Sequence, residues 1–569
     1  MGNSHSFAAF VDDYFDAEFS WNPARATREG LHDYDRDMGD RSEEAHLARI
    51  DEIQTLLDRA RKFGGSLLSV SDRIDLELIL GQLEAGMLAL ATLGTWRRNP
   101  IDYLWHAGSA LDALIKRRFA PPPRRLEALT SRLREFPRIL DAMKSNVQNP
   151  PREFTEVALR LARGSVGFLG EGTEAWAREA AGGDPSLTAG FRSVHRASVT
   201  ALEDAVRWLE DLLPRSTGCY AIGPDALARM LRHEEMTATS LDTLLATANT
   251  NLERDHRDFV AIASRIDSDR TPLEVMRGLS DDRPGETELL DWARVTIDRV
   301  CGFLDAHALV TLPGIPPPAI VETPPYYRFG AFAAMDSPGA YETVAREAFY
   351  YVTPPEADWD PAHKEEHLRL FNRPVMDLIT IHETYPGHFL QFANAPKFPT
   401  HTRRLLSCGS NVEGWAHYAE QMMVEEGYGS GDLPIRAAQL QEALVRDCRF
   451  VAAIGLHTET LSVQDAARLF EDRAFMEPAN ALEEARRGTF DPTYLVYTLG
   501  KLQIYKLRDD WEAERGERDL RKFHDAFLRE GGAPLRIIRR RMLRANSEDE
   551  TLYPTSSYER ATGKPSARG

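Results

Sequence analysis

Two histidines and a glutamate in the second half of the chain have the residue types of a hydrolytic metal site. His382 and Glu383 are adjacent, and His388 follows six residues after His382. Two neutral imidazoles supply the nitrogen ligands that zinc accepts, and a neighbouring carboxylate can activate water for attack. In the common His-Glu-x-x-His pattern the two histidines are four residues apart and share one helix face. Here the second histidine comes two residues later, so a regular helix would turn it about 120° away from the first.

The residues just before the second histidine, Pro386 and Gly387, predict how this spacing is resolved. A proline cannot donate a hydrogen bond to the carbonyl four residues earlier, which here belongs to His382, and its ring clashes with that carbonyl. We therefore expect a kink or bulge at these two residues that returns His388 toward His382. The mostly apolar run 378–381 predicts that the preceding helix is buried.

A third ligand is expected on a later helix. Glu413, His417 and Glu420 are separated by four and three residues, which places them on one helix face, whereas Trp415 and Tyr418 face elsewhere and are expected to pack. From spacing alone, any of the three could reach the metal. The remaining two would then orient the ligand histidines through hydrogen bonds.

Several segments resemble one bacterial family. HETYPGHFLQ resembles the His-Glu-x-x-Pro-Gly-His-x-x-Gln signature of the domain of unknown function 885 family, and the segments VEGWAHYAEQMM, RRGTFDPTYLVYTLGKLQIYKLR and NPARATREGLHDYDRDMGDRS are similar to further parts of it. The resemblance implies a divergent helical zinc metallopeptidase of the gluzincin kind, with one Zn²⁺ per chain. It favours Glu413 as the third ligand beside His382 and His388, with Glu383 as general base, and leaves His417 as the alternative ligand.

The same resemblance suggests residues that contact a substrate. Tyr497 matches the tyrosine of a Tyr-x-x-Gly-Lys segment, and its phenol could stabilise a developing oxyanion. Tyr494 lies three residues earlier and can share that face. His457 matches a Gly-x-His position, and Arg487 could pair with a peptide carboxylate in a bidentate manner. Each has an ordinary structural alternative, namely a core aromatic residue, a core histidine or an ion pair.

The pattern along the chain predicts a mainly α-helical, two-lobed, metallopeptidase-like fold. Residues 6–305 are almost continuously amphipathic, with Ser42 as a helix N-cap and Pro224 in a first turn. A proline-rich stretch begins at residue 310, and the segments 327–335 and 347–352 predict two short strands at the active-site cleft. A free strand edge there could pair with a peptide, although an ordinary hairpin is an equal alternative. We expect a helical scaffold over residues 1–309 and a zinc-binding lobe over 310–569, built as one continuous unit.

Composition limits the partners of the protein. The 569 residues carry a formal net charge of −19, which argues against nucleic acid and anionic membranes. The four cysteines are far apart and lack a Cys-x-x-Cys pair, which is typical of reduced thiols in the cytoplasm. No uninterrupted apolar run is long enough to predict a membrane span. The sequence favours a cytoplasmic protein, and it leaves the oligomeric state open.

These observations predict an enzyme. The expected activity is zinc-dependent hydrolysis of an amide bond in a short peptide or peptide-like molecule, with Glu383 and Tyr497 as catalytic residues. Two alternatives remain at this point: hydrolysis of a non-peptide amide or ester in secondary metabolism, and a metal-binding scaffold without turnover. The chain lacks the phosphate-binding Gly-x-x-x-x-Gly-Lys and the serine-hydrolase Gly-x-Ser-x-Gly motifs, so those chemistries have no support.

Overall fold

The protein is mainly helical, as the sequence predicts. The structure is a computed structural model that describes residues 2–65, 67–324, 332–356, 359–545 and 552. The α-helices of the described residues are α1 (Gly2–Trp21), α2 (Pro23–Glu29), α3 (Glu43–Lys62), α4 (Val70–Met87), α5 (Pro100–Lys116), α6 (Pro122–Asn146), α7 (Arg152–Gly167), α8 (Thr173–Ala180), α9 (Pro185–Leu212), α10 (Pro224–Glu234), α11 (Leu241–Ile266), α12 (Pro272–Leu279), α13 (Leu289–His307), α14 (Pro361–Arg369), α15 (Arg373–Glu383), α16 (His388–Ala393), α17 (His401–Leu405), α18 (Gly409–Glu425), α19 (Leu433–His457), α20 (Val463–Ala474), α21 (Pro478–Phe490), α22 (Val496–Arg515), α23 (Leu520–Arg529) and α24 (Leu535–Met542).

Local sequence signals explain where many of these helices begin. The Ser42 side chain accepts a hydrogen bond from the Ala45 backbone N–H at the start of α3, which satisfies a donor that the helix itself leaves unpaired. Pro224 is the first residue of α10, where its missing N–H costs nothing. Both starts agree with the sequence prediction.

A small three-stranded sheet interrupts the helices. Its strands are β1 (Ala319–Glu322), β2 (Ala333–Asp336) and β3 (Phe349–Val352), in the order β1-β3-β2. Strand β3 is central and pairs in parallel with β1 and antiparallel with β2. The sequence predicts β2 and β3 but not β1, which directly follows a run of prolines; the part of the first predicted strand at residues 327–331 lies outside the described residues.

The described residues pack into two compact units. Unit 1 contains the residues up to Tyr220 and the segment Pro338–Glu347, whereas unit 2 contains Ala221–Thr323, residues 332–337 and the described residues from Ala348 onward. Helices α10 to α13 therefore pack within unit 2. The division at residue 309 that the sequence suggests remains a prediction about domains. Packing divides the described residues after Tyr220.

Unit 1 is held together partly by buried polar side chains. The guanidinium of Arg132, which is fully buried, donates hydrogen bonds to the Ala110 carbonyl and to the Thr27 hydroxyl. His32 bridges two carboxylates, because its Nδ1 lies 3.2 Å from Asp35 Oδ1 and its Nε2 lies 3.1 Å from Glu342 Oε2. The second contact ties the segment Pro338–Glu347 to the N-terminal helices of this unit.

By length and composition alone, one helical stretch of the described residues, Val70–Arg97, could cross a membrane. Core helices of soluble proteins meet the same criterion, so this stretch carries little weight on its own.

Candidate metal centre

The break between α15 and α16 brings His382 and His388 together. Helix α15 ends at Glu383 and α16 begins at His388, and the two imidazole ring centroids lie 4.7 Å apart. The peptide bond between Tyr385 and Pro386 is cis, and the Gly387 N–H bonds back to the Ile381 carbonyl at 3.0 Å. The structure thus has the break at Pro386 and Gly387 that the six-residue spacing requires.

Gly387 is needed at this turn for steric reasons. A Cβ atom at this position would lie 1.8 Å from the His382 carbonyl oxygen and 2.4 Å from the Ile381 carbonyl oxygen. The close approach of the chain to the end of α15 therefore depends on a residue without a side chain.

Glu413, on α18, completes a three-donor cluster with the two histidines. Its Oε2 lies 3.6 Å from His382 Nε2 and 3.5 Å from His388 Nε2, and the three donor atoms lie within 4.8 Å of one another. Ligand atoms around a tetrahedral zinc ion at its usual bond lengths are about 3.3–3.5 Å apart. Two nitrogens and one carboxylate oxygen are also a donor set that zinc accepts, so these residues fit Zn²⁺.

A buried glutamate orients one of these histidines. Glu420 Oε1 accepts a hydrogen bond from His382 Nδ1 at 2.6 Å, so that Nε2 is the ring nitrogen of His382 that faces the donor cluster. The same oxygen accepts from Arg446 Nη2 at 3.1 Å, and Oε2 lies 3.2 Å from His417 Nδ1. Of the three candidates on α18, Glu413 therefore lies beside both histidines, whereas His417 and Glu420 form the layer behind them.

The carboxylates of Glu413 and Glu420 stabilise positive charge on the neighbouring His382 imidazole. Burial alone lowers the pKa of His382, but hydrogen bonds to Glu413 and Glu420 outweigh it and raise the pKa to about 10. Desolvation raises the pKa of Glu413, but its contacts with the two imidazoles hold it well below the ordinary value. Burial lowers the pKa of His417 to about 3, with the Lys501 charge as the next cause. His417 is therefore neutral and donates to an anionic Glu420.

Glu383 lies at the end of α15, next to the cluster but outside it. Its Oε2 accepts a hydrogen bond from the Met335 N–H of β2 at 2.9 Å, a contact that links this carboxylate to the sheet. Burial raises its pKa, and the neighbouring histidines only partly oppose that effect. A carboxylate with a raised pKa is a better proton acceptor at neutral pH than an exposed one.

Tyr497, at the start of α22, is a half-buried phenol on the same side as Glu413. Burial and the Glu413 charge raise its pKa, so the hydroxyl stays protonated and can donate a hydrogen bond. Arg487 Nη2 lies 3.4 Å from this hydroxyl and also 3.1 Å from Asp491 Oδ2. The roles predicted for both residues in substrate binding and oxyanion stabilisation remain predictions.

Two predicted substrate-binding residues lie elsewhere. His457 is fully buried, and its Nε2 donates to the Gly488 carbonyl at 2.8 Å. The Tyr494 ring is 1% exposed and packs against Gly488, where any Cβ would meet the phenol oxygen at 2.4 Å. Since neither side chain reaches solvent, the structure corrects the prediction that they contact a substrate and assigns them to the core.

Two close contacts fix α18, which carries Glu413. A Cβ at Gly414 would lie 2.5 Å from the Gly500 Cα, so α18 and α22 cross with their backbones in contact. The Trp415 Nε1–H donates to the Pro386 carbonyl at 2.8 Å and thereby ties α18 to the turn before His388. The two glycines bring Tyr497, one turn before Gly500, near Glu413.

The N-terminus of α18 depends on a residue far away in the sequence. The preceding residue, Cys408, provides no side-chain cap. Instead Glu235 Oε1 accepts from the Gly409 N–H at 3.0 Å and Oε2 from the Ser410 N–H at 2.9 Å. A carboxylate at this position also complements the helix dipole. Sequence reasoning missed Glu235 and Arg446, because nothing in either local sequence indicates its distant partner.

Comparison with known proteins identifies the family. A search of curated proteins finds no match. Two solved structures share the fold. One is a "putative lipoprotein of unknown function" from Shewanella oneidensis, with 24% identity, a TM-score of 0.78 and coverage of 94% of this chain and 99% of that protein. The other is a "putative lipoprotein" from Colwellia psychrerythraea, with 17% identity, a TM-score of 0.77 and coverage of 94% of this chain and 97% of that protein. The family model described as bacterial protein of unknown function (DUF885) matches residues 23–542, and the chain therefore belongs to this family.

Proposed function

We propose that the protein is a zinc-dependent hydrolase that cleaves amide bonds of short peptides or peptide-like molecules. One observation carries the proposal: the donor atoms of His382, His388 and Glu413 lie within 4.8 Å of one another, and the non-ligand carboxylate of Glu383 lies next to them. A site used only for metal storage has no need of the second carboxylate. The presence of Glu383 therefore supports an enzyme over a metal-binding scaffold without turnover.

The chain's own residues supply the remaining chemistry. His382, His388 and Glu413 would hold one Zn²⁺, which when bound acts as a Lewis acid toward the scissile carbonyl and the attacking water. Glu383 takes a proton from the water as its oxygen attacks the carbonyl carbon, and then delivers that proton to the leaving amine nitrogen. Tyr497 donates a hydrogen bond to the oxygen that becomes negative during the attack.

The sheet supports a peptide substrate over a non-peptide amide or ester. Within the described residues, β2 pairs with β3 on one side, and no strand pairs with its other edge. The Met335 N–H on that edge bonds to Glu383, which brings the edge to the catalytic carboxylate. An extended peptide can add to such an edge through backbone hydrogen bonds.

The test is metal content and peptide cleavage on the same samples. Wild type is expected to hold about one zinc per chain and to cleave members of a short-peptide library. His388→Ala and Glu413→Ala should lose both properties, whereas Glu383→Gln should keep the metal and lose cleavage. Zinc without cleavage of any peptide would direct the search to non-peptide amides and esters. A protein that binds no zinc even when it is supplied would refute the proposal.

The cellular location also enters as a proposal. The sequence favours the cytoplasm, whereas the two similar structures are described as lipoproteins, a class attached to a membrane by lipid chains. That description makes a membrane-attached or exported location the better starting point for this chain. Fractionation of cells that produce the protein from its own gene distinguishes the two locations.

A further inference from the structure

Three arginines surround the Tyr497 ring. The guanidinium carbons of Arg446, Arg449 and Arg487 lie 5.7, 5.1 and 6.0 Å from its centroid. The first two belong to α19 and the third to α21. The proposed oxyanion-binding phenol is therefore bordered by positive charge, which raises the question of which guanidinium can bind a negatively charged group of a substrate.

Two of the three are already committed to internal partners. Arg449 Nε and Nη2 each donate to a different oxygen of Glu484 at 2.7 Å, which is the full bidentate pairing of a guanidinium. Arg446 donates to Glu442 at 2.5 Å and to Glu420 at 3.1 Å. The side chains of Arg449 and Arg446 are only 12% and 11% exposed. Neither can turn to a ligand without giving up these contacts with its carboxylate partners.

Arg487 is bound more loosely. Its side chain is 36% exposed, and its Nε and Nη2 share one oxygen of Asp491 at 3.2 and 3.1 Å. The Nη2 contact with the Tyr497 hydroxyl is long, at 3.4 Å. Among the described residues Nη1 has no hydrogen-bond partner. While Nε keeps its bond to Asp491, the outer edge formed by Nη1 and Nη2 can donate a hydrogen bond to each oxygen of a ligand carboxylate.

The position of Arg487 relates this edge to the candidate metal centre. Its Nη2 contacts the Tyr497 hydroxyl. Tyr497 lies one turn before Gly500, whose Cα would lie 2.5 Å from a Cβ at Gly414, the residue after Glu413. Arg487 is therefore joined through Tyr497 to the helix crossing that carries Glu413. A ligand carboxylate bound there would leave the adjoining part of the peptide beside Tyr497.

We propose that Arg487 binds the free C-terminal carboxylate of the substrate, so that the protein cleaves peptides near their C-terminus. This inference rests on the proposed hydrolytic function. It names Arg487 as the residue that determines specificity and peptides with an unblocked C-terminus as the substrate class. An acidic side chain offers the same carboxylate chemistry, so the test includes both sources.

The decisive experiment measures binding on zinc-loaded Glu383→Gln, in which turnover cannot obscure affinity. Calorimetry compares one peptide as the free acid, the same peptide as its C-terminal amide, and an amidated peptide with an internal glutamate. The free acid should bind about 10- to 100-fold more tightly than either amide, which corresponds to the gain from a hydrogen-bonded charge. Equal affinity of acid and amide would overturn the inference, and tight binding of only the glutamate peptide would overturn the assignment to the C-terminus.

Variants locate the preference at Arg487. Adding Arg487→Met should weaken binding of the free acid about 10- to 100-fold and leave binding of the simple amide unchanged. Arg487→Lys should recover only part of the lost affinity, because an ammonium group lacks the two parallel N–H donors of a guanidinium. Arg486→Met is the matched control: Arg486 is the next residue back on α21 and pairs with Glu483. A free-acid preference that survives Arg487→Met would overturn the inference.

An activity assay separates the two proposals. With wild type, mass spectrometry of the products should show cleavage close to the C-terminus of the free acid, and Arg487→Met should mainly raise KM. Cleavage of acid and amide alike would support hydrolysis and refute the role of Arg487. If wild type cleaves no peptide, the proposal of peptide hydrolysis fails, and the binding comparison decides by itself whether Arg487 selects a terminal carboxylate.

Discussion

Substituting alanine for Gly387 should destroy the metal centre without removing any ligand. The new Cβ would start 1.8 Å from the His382 carbonyl oxygen, whereas contacts under 3.0 Å are essentially never observed for real Cβ atoms. The backbone must therefore move by about 1.2 Å, the difference between those two distances. Ligand distances in zinc sites tolerate only about 0.2 Å, so His388 would leave the cluster.

Metal content provides the assay. After dialysis against a zinc buffer, Gly387→Ala should contain almost no zinc, while its circular dichroism stays helical because α15 and α16 are each retained. Gly302→Ala is the matched control, because Gly302 is exposed on α13 and a Cβ there meets no atom within 4 Å. That control should keep its zinc and gain up to about 1 kcal/mol of stability from the better helix former. Wild-type zinc content in Gly387→Ala would refute the argument that the turn positions the second histidine.

Three further outcomes are expected. Glu420→Gln removes the charge that orients His382, so zinc affinity measured against a competing chelator should fall about 10- to 100-fold, and an unchanged affinity would count against this role. Gly500→Ala places a Cβ 1.8 Å from a carbonyl oxygen of α18; the loss of stability in thermal melting should reach about 3 kcal/mol, with Gly302→Ala again as control. Burial lowers the pKa of His32, but its two carboxylate partners outweigh burial and raise the pKa above the ordinary value. The contribution of protonated His32 to the stability of the fold is therefore complete below the unfolded-state pKa and is lost as the pH rises through the folded-state pKa. His32→Gln should therefore destabilise the protein by up to about 1 kcal/mol at pH near 6 and much less at high pH, and denaturation curves showing the opposite order would contradict this.

Features that depend on neighbouring residues could be predicted from the sequence. The helical class follows from apolar spacing, and the starts of α3 and α10 follow from Ser42 and Pro224, because a cap or a first-turn proline acts within one helical turn. The break before His388 follows from Pro386 and Gly387 for the same reason. The candidate ligands were recognisable since their types and order along the chain carry the signal.

The tertiary structure decided which distant residues meet. It selected Glu413 over His417 and Glu420 as the neighbour of both histidines, supplied Arg446 and Glu235 from other helices, and buried His457 and Tyr494. It also contains β1, which the sequence does not predict because a proline-rich stretch precedes it, and it divides into two packing units after Tyr220. Such choices rest on helix crossings and long-range hydrogen bonds, whose energy depends on both partners and is therefore invisible in either local sequence.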